Sequence, residues 1–178
     1  MKRLTDAGAA LLGLLSEGAK HPYQIEKDVR ERDMRYWTDL SMSSIYKLLR
    51  KCERAGLVKR TNMVSPQNRL RVLYAISRKG RKALAKKLEA LLSDPGHIKW
   101  PVDIGIANCG ILPRKTARAA LEKYRAGLEE RARCYGELQK YLRSAGCPPH
   151  RLGIAERPVY LLKAEMKWVD DYLGKLGR

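Results

Sequence analysis

Between Ser43 and Arg54 the sequence sets short hydroxyls and long cations at helical intervals. Ser43, Lys47, Arg50 and Arg54 fall on one side of a helix, with Ser44, Tyr46 and Lys51 beside them. The complementary positions Ile45, Leu48, Leu49 and Cys52 follow i, i+3, i+4 and i+7 and form an apolar stripe. The polar side carries no acid, because Glu53 lies off to its edge. Guanidinium and ammonium groups donate to phosphate oxygens, and an arginine can bind a guanine edge with two parallel hydrogen bonds. Serine and tyrosine hydroxyls can fix register on a sugar–phosphate backbone. The chemistry is polyanion recognition rather than bond making. Asn68, Arg69 and Arg71 follow in a loop between two β-like runs, where they could grip phosphate or enter a minor groove.

Other reactive groups lack the spacing that chemistry needs. His21, His97 and His150 are scattered, with no metal-ligand interval, nucleophile elbow or glycine-rich phosphate cradle around them. No enzyme, metal or cofactor is therefore expected. His21 is expected to cap the helix that follows it. Cys52, Cys109, Cys134 and Cys147 are far apart, with no C-x-x-C pair. They read as four reduced thiols, packed as small buried hydrophobes in a cytoplasmic protein. Trp100, Tyr124, Trp168 and Tyr172 admit two readings. They line an apolar effector pocket between domains, or they are core and dimer-interface residues at helical spacing.

The elements that must position these groups follow from caps and periodicity. A first helix spans about Thr5 to Glu17, with Thr5 as cap and Gly18 as stop. Lys2 and Arg3 before an apolar stretch resemble a secretion signal, but Asp6 interrupts it and no small-x-small cleavage site follows. A second helix starts at Pro22, carries Ile25 and Val29 inward and ends before Met34. The cationic helix begins in the Ser41–Ser44 cluster and ends at Ala55-Gly56. Leu57 to Thr61 forms a strand, which Asn62-Met63-Val64 could extend; Leu70 to Ile76 alternates as its return. Ser77 caps a fourth helix with a stripe of Leu84, Leu88, Leu91 and Leu92. The cations Arg78, Lys79, Arg81 and Lys82 near its start oppose the helix dipole, so they are either solvated or aimed at phosphate.

Asp94-Pro95-Gly96 is the clearest break and sets domains at 1–93 and 94–178. Beyond it, 102–109 is a short helical segment. A long helix from Pro113 to about Tyr141 repeats apolar residues in steps of three and four, at Ala117, Leu121, Tyr124, Leu128, Ala132, Tyr135, Leu138 and Leu142, and Ala145-Gly146-Cys147-Pro148-Pro149 breaks it. A last helix from about Pro158 to Leu176 presents Leu161, Leu162, Glu165, Trp168, Val169, Tyr172, Leu173 and Leu176 inward.

Charge agrees with this division. The chain of 178 residues has 37 Lys+Arg against 19 Asp+Glu, a net +18. From Lys47 to Lys87 the only acid is Glu53. Such a run is an electrostatic footprint for a polyanion, not a mixed solvated surface. No apolar run reaches the ~18–20 residues that span a bilayer, so a membrane partner is not expected.

The order helix, helix, helix, strand, loop, strand, helix is that of a winged helix-turn-helix. Five stretches sharpen it: Leu12-Gly13-Leu14-Leu15, His21-Pro22-Tyr23-Gln24-Ile25, Ser43-Ser44-Ile45-Tyr46-Lys47-Leu48-Leu49, Gly56-Leu57-Val58, and Tyr74-Ala75-Ile76-Ser77-Arg78-Lys79-Gly80. Together they resemble the PadR family of transcriptional regulators, and Ala164-Glu165-Met166-Lys167-Trp168 resembles the last-helix motif of its longer members. Two departures stand out: Pro22 where the family often has Gly, and a wing tip, Ser65-Pro66-Gln67-Asn68, less basic than many.

The resemblance implies a mainly α fold with a small β-wing, in which an N-terminal winged helix-turn-helix domain precedes a C-terminal helical dimerisation domain. It implies a homodimer on palindromic double-stranded DNA, repressing more often than activating, with a small aromatic or lipophilic effector. Two other readings stay open on the residues alone: an architectural DNA binder without sequence preference, and a helical protein-interaction module.

Overall fold

Thr5 opens the first helix, α1 (Asp6–Ser16), by accepting a hydrogen bond at 3.2 Å from the Gly8 backbone N–H. Leu11, Leu12, Leu14 and Leu15 of α1 are all buried, so this helix is the axis of the first core. The computed structural model describes residues 4–64 and 70–176, and the chain divides into two units, Met1–His97 and Ile98–Arg178.

In the first unit, α2 (Pro22–Glu31) buries Ile25 and Val29, and a 3-10 turn (Met34–Tyr36) leads to α3 (Met42–Arg54). Asp33 enters that turn at φ +46, a left-handed conformation that aspartate tolerates better than most residues. The strands β1 (Val58–Val64) and β2 (Leu70–Ile76) pair antiparallel, from Val58 opposite Ile76 to Val64 opposite Leu70. Asn62-Met63-Val64 thus does extend the first strand. Lys20, between α1 and α2, exchanges two backbone hydrogen bonds of 3.0 Å with Tyr74 and ties the helices to the wing. The wing tip with Asn68 and Arg69 lies outside the described residues.

His21 precedes α2 but does not cap it with its side chain. Its Nδ1 lies 2.7 Å from the Val72 carbonyl oxygen instead, a second tie to β2. The strand is close enough to compete for the ring, and the first turn of a Pro-started helix has one N–H fewer to satisfy. Asp28 is buried between the Lys20 ammonium at 2.6 Å and the Gln24 amide at 2.9 Å.

Ser77 caps α4 (Arg78–Ser93) through a 2.9 Å bond from Gly80 N–H. Of the expected leucine stripe only Leu84 is buried; Leu88, Leu91 and Leu92 are exposed, Leu92 at 88%. Lys87 pairs with Asp6, the first residue of α1, at 2.6 Å. The turns of α4 after Lys87 run past that helix end, so among the described residues of the first unit no apolar partner buries them.

The second unit is a helical hairpin with a short preface: α5 (Pro101–Ala107), a 3-10 turn (Cys109–Ile111), α6 (Arg114–Ser144) and α7 (Pro149–Leu176). Arg125–Asp170, Gln139–Ala155 and Arg143–Glu156 contacts fix α6 and α7 as antiparallel. Gly146, at φ +68, supplies the left-handed stop of α6, and Cys147 N–H returns to the Leu142 carbonyl at 2.9 Å. Leu128, Leu162, Val169 and Leu173 are the buried seam, with Leu121, Tyr124, Ala132, Tyr135, Met166 and Trp168 packed on it. Leu138 and Leu161 of the expected stripes are exposed.

The last helix begins at Pro149, and Pro158 lies inside it. A proline suits a first turn, which is why Pro158 reads as a start. Internally it removes one hydrogen bond at a cost of about 3 kcal/mol or more. Ala155, buried against α6 one turn earlier, holds the helix across that gap, and Gln139 donates to its carbonyl.

All four cysteines are free, but only Cys52 is buried; Cys109 and Cys147 are half-buried and Cys134 is exposed. The expectation of four core thiols fails for the last three because the hairpin has only two long helices and buries a single seam. Among the described residues no helix is long and apolar enough to cross a membrane, and no cluster of ligating side chains could hold a metal.

Candidate nucleic-acid interface

The start of α3 is built by three serines. Ser41 Oγ accepts from Ser44 N–H at 3.2 Å, and Ser44 Oγ accepts from Ser41 N–H at 2.8 Å, a reciprocal capping box. Ser44 is thereby engaged in holding the helix. Ser43 is exposed and lies 3.1 Å, Oγ to Oγ, from Ser41. Ile45, Leu49 and Cys52 anchor the inner face, and Leu48 is half-buried. Burial pushes the Cys52 thiol pKa up, against the pull of the nearby Lys51 charge.

The outer face is open. Tyr46, Lys47, Arg50, Lys51 and Arg54 are all exposed, as is Arg71 on β2. Among the described residues none of these five cations makes an ion pair or a side-chain hydrogen bond. Four arginines of the second unit behave differently: Arg118, Arg125, Arg133 and Arg143 are each tied to a carboxylate. Unpaired cations on one helix face keep their full charge and donor set for an external anion.

The far end of α3 is clamped. Gly56 at φ +71 turns the chain, Leu57 N–H returns to Cys52 O at 2.8 Å, and Lys79 Nζ donates to Ala55 O at 2.8 Å. Lys79 therefore serves the helix C-terminus, where a cation also meets the negative end of the dipole. Ser77 adds bonds to Gly56 O at 2.7 Å and, through its N–H, to Leu57 O at 2.9 Å. These contacts make α3, the wing base and the start of α4 one rigid mount.

Two residues that periodicity passed over stand beside the helix start. Tyr36 is 84% exposed and Trp37 49% exposed, on the turn between α2 and α3. Arg35 holds that turn by pairing with Glu26 and donating to Leu40 O at 3.1 Å. The signal was an aromatic pair in a basic turn directly before a serine cap, which belongs to no apolar stripe.

The aromatic residues expected around an effector all belong to the second unit. Trp100 and Trp168 line a cavity of about 210 Å³ with Val102, Asp103 and Glu165. Tyr124 donates to Glu165 Oε1 at 3.2 Å, and Tyr172 stacks on Trp168 with ring centroids 5.4 Å apart. Burial, then the neighbouring Glu165 charge, raises the Tyr124 phenol above its ordinary pKa, and the Asp103 charge adds to this. A second groove, of about 390 Å³, is lined by Ala120, Lys123, Tyr124, Gly127, Leu128 and Arg131.

A helical core with a two-stranded wing and a serine-capped cationic third helix is the arrangement of a winged helix-turn-helix. Residues 11–86 match the family described as the Transcriptional regulator PadR-like family. That match lies within the first unit, which is similar in sequence to the PadR-like transcriptional regulators. Solved structures show the same fold over both units. Bacillus subtilis PadR in complex with operator DNA superposes with a TM-score of 0.79 at 17% identity, covering 95% of this chain and 98% of that one. The same protein in complex with p-coumaric acid gives 0.79 at 17%, covering 96% and 95%. The Vibrio cholerae virulence activator AphA gives 0.68 at 18%, covering 97% and 98%. No curated protein matches the chain in sequence.

Proposed function

We propose that the chain is a homodimeric, sequence-specific DNA-binding regulator of the cytoplasm, a repressor that a small effector releases. In this reading residues 1–93 bind DNA, and 94–178 dimerise and take the effector. The observation that carries it is the outer face of α3, where Lys47, Arg50, Lys51 and Arg54 are exposed and unpaired on a helix fixed at both ends. That face presents base- and phosphate-reading donors to a major groove, with Ser43 and Tyr46 at the backbone, while Ser44, expected there too, spends its hydroxyl on the capping box that sets the helix. Arg71, Asn68 and Arg69 extend the contact along the wing.

Dimerisation is supported by apolar side chains that the hairpin leaves uncovered. Ile111, Ile154, Tyr160 and Leu161 of the second unit are exposed. A two-fold copy would cover such a surface and set two α3 helices about one DNA turn, ~34 Å, apart, as a palindrome requires. The complexes of Bacillus subtilis PadR with operator DNA and with p-coumaric acid support the operator and effector parts by similarity. Trp100, Tyr124, Trp168 and Tyr172 are the effector residues in this reading.

Selection of duplexes from a randomised pool by the full chain tests the proposal. Enrichment of an inverted repeat is expected, and a pool that stays random points to an architectural binder instead. On the selected duplex, Arg50→Ala should weaken binding by about 1–3 kcal/mol, roughly 5- to 150-fold. Unchanged affinity and salt dependence in that variant would remove α3 from the interface. A reporter driven through the selected site reads the sign: repression is expected, and activation would overturn that part.

A further inference from the structure

The second unit contains nine acidic residues, and ion pairs account for seven of them: Glu122, Glu129, Glu130, Glu137, Glu156, Asp170 and Asp171. The two without a cationic partner among the described residues are Asp103 and Glu165, and both line the 210 Å³ cavity. In a chain with a net charge of +18, two acids left without a lysine or arginine in the same cavity are a local inversion of sign. The remaining walls are chiefly two indoles, Trp100 and Trp168, with Val102. An indole face attracts a cation through its quadrupole, and carboxylates neutralise the charge that enters.

We propose that this cavity is a binding site for a small organic cation, an aromatic or quaternary amine, with its charge against Asp103 and Glu165 and its apolar body against the two tryptophans. The inference rests on the effector reading above and names its ligand class.

The geometry supports a built recess. Trp168 is backed by Tyr172, with planes 22° apart, and Tyr172 OH is itself 3.6 Å from Cys109 Sγ. Glu165 is half-buried, and Tyr124 OH holds one of its oxygens at 3.2 Å and leaves the other free. That hydrogen bond orients the carboxylate without neutralising it, because a neutral phenol adds no charge. The volume is smaller than the ~300–1,000 Å³ of drug-sized pockets. It admits one ring with an ammonium head rather than a fused polycycle. A phenolic carboxylate of similar size meets two like charges here and is disfavoured.

The test uses the folded full-length chain and three probes of one ring each: benzyltrimethylammonium, benzyl alcohol and p-coumarate. Calorimetry and tryptophan emission are followed for each. Saturable binding of the cation is expected, at least tenfold tighter than either other probe and weakening with added salt. Asp103→Asn and Glu165→Gln should each weaken cation binding at least fivefold while circular dichroism stays unchanged. Asp103 is exposed, so its variant keeps the test open should the Glu165 variant unfold. Binding of p-coumarate as tight as the cation's, or wild-type affinity in the Asp103 variant, would overturn the proposal. So would tryptophan emission that changes with protein concentration and no longer responds to the cation, which identifies a second copy as the occupant.

A gel shift on the selected duplex runs alongside. A cation that binds but leaves duplex affinity unchanged supports this site and refutes effector control. A chain that binds duplex but no cation refutes this site and leaves the DNA reading intact.

Discussion

Gly80→Ala tests the rigid mount of the DNA-binding helix most directly. A Cβ on Gly80 would sit 2.1 Å from the Leu57 carbonyl oxygen, 2.9 Å from Ile76 Cγ1 and 3.0 Å from the Leu57 carbonyl carbon. A carbon–oxygen contact needs about 3.3 Å, so the first turn of α4 must retreat by roughly 1 Å. That retreat stretches the Ser77 bonds to Leu57 O and Gly56 O, now 2.9 and 2.7 Å. Overpacking costs about 1–3 kcal/mol and each weakened hydrogen bond about 0.5–1.5 kcal/mol. The better helix propensity of alanine returns about 1 kcal/mol. The net loss is about 2–3 kcal/mol, which for a unit of this size lowers the melting temperature by roughly 10–20 °C. Far-UV circular dichroism melting of the full chain reads it. Gly13→Ala is the control: that glycine lies within α1 with nothing within 4 Å of the added carbon, so a rise of about 4–8 °C is expected. If Gly80→Ala melts at or above the wild-type temperature, the close approach of α4 to Leu57 is wrong, and with it the clamp on α3.

Leu84→Ala, which empties a buried position, should cost about 2–4 kcal/mol, whereas Leu92→Ser, at an exposed position of the same helix, should change stability by under about 0.5 kcal/mol; chemical denaturation compares them. Native alkylation at pH 8 should label exposed Cys134 first and Cys52 only after unfolding, since burial both hides that thiol and raises its pKa; peptide mass spectrometry gives the order. Burial pushes the Asp28 carboxyl up, but its hydrogen bonds to Lys20 and Gln24 and the charges of Lys20 and Arg32 together bring it below the ordinary value. A depressed folded pKa means the carboxylate stabilises above its unfolded value, near pH 4, and that this stability is lost as pH falls through the folded value. Asp28→Asn should therefore flatten the acid limb below about pH 4 in denaturation midpoints measured against pH.

Short-range chemistry made much of this protein legible in its sequence. Thr5, Ser41 and Ser77 announce three helix starts, Gly56 and Gly146 two helix ends, and alternation announces the return strand. These signals act within four residues of themselves, so no tertiary information is needed to read them. The two faces of α3 were legible for the same reason, because rotation along a helix is fixed by the backbone. Residues whose role depends on what lies opposite were not. Lys79 resembles Lys82 in sequence, yet a carbonyl from another helix claims it. Leu88, Leu91 and Leu92 continue a stripe whose partner helix has already ended. Pro158 carries the signal of a helix start, and packing on α6 carries the helix through it. Asp103 and Glu165 are 62 positions apart and unremarkable in the sequence; folding pairs every other acid of their unit and leaves these two beside the same pair of indoles. Charge pairing is settled by distances across the fold, which only the tertiary structure decides.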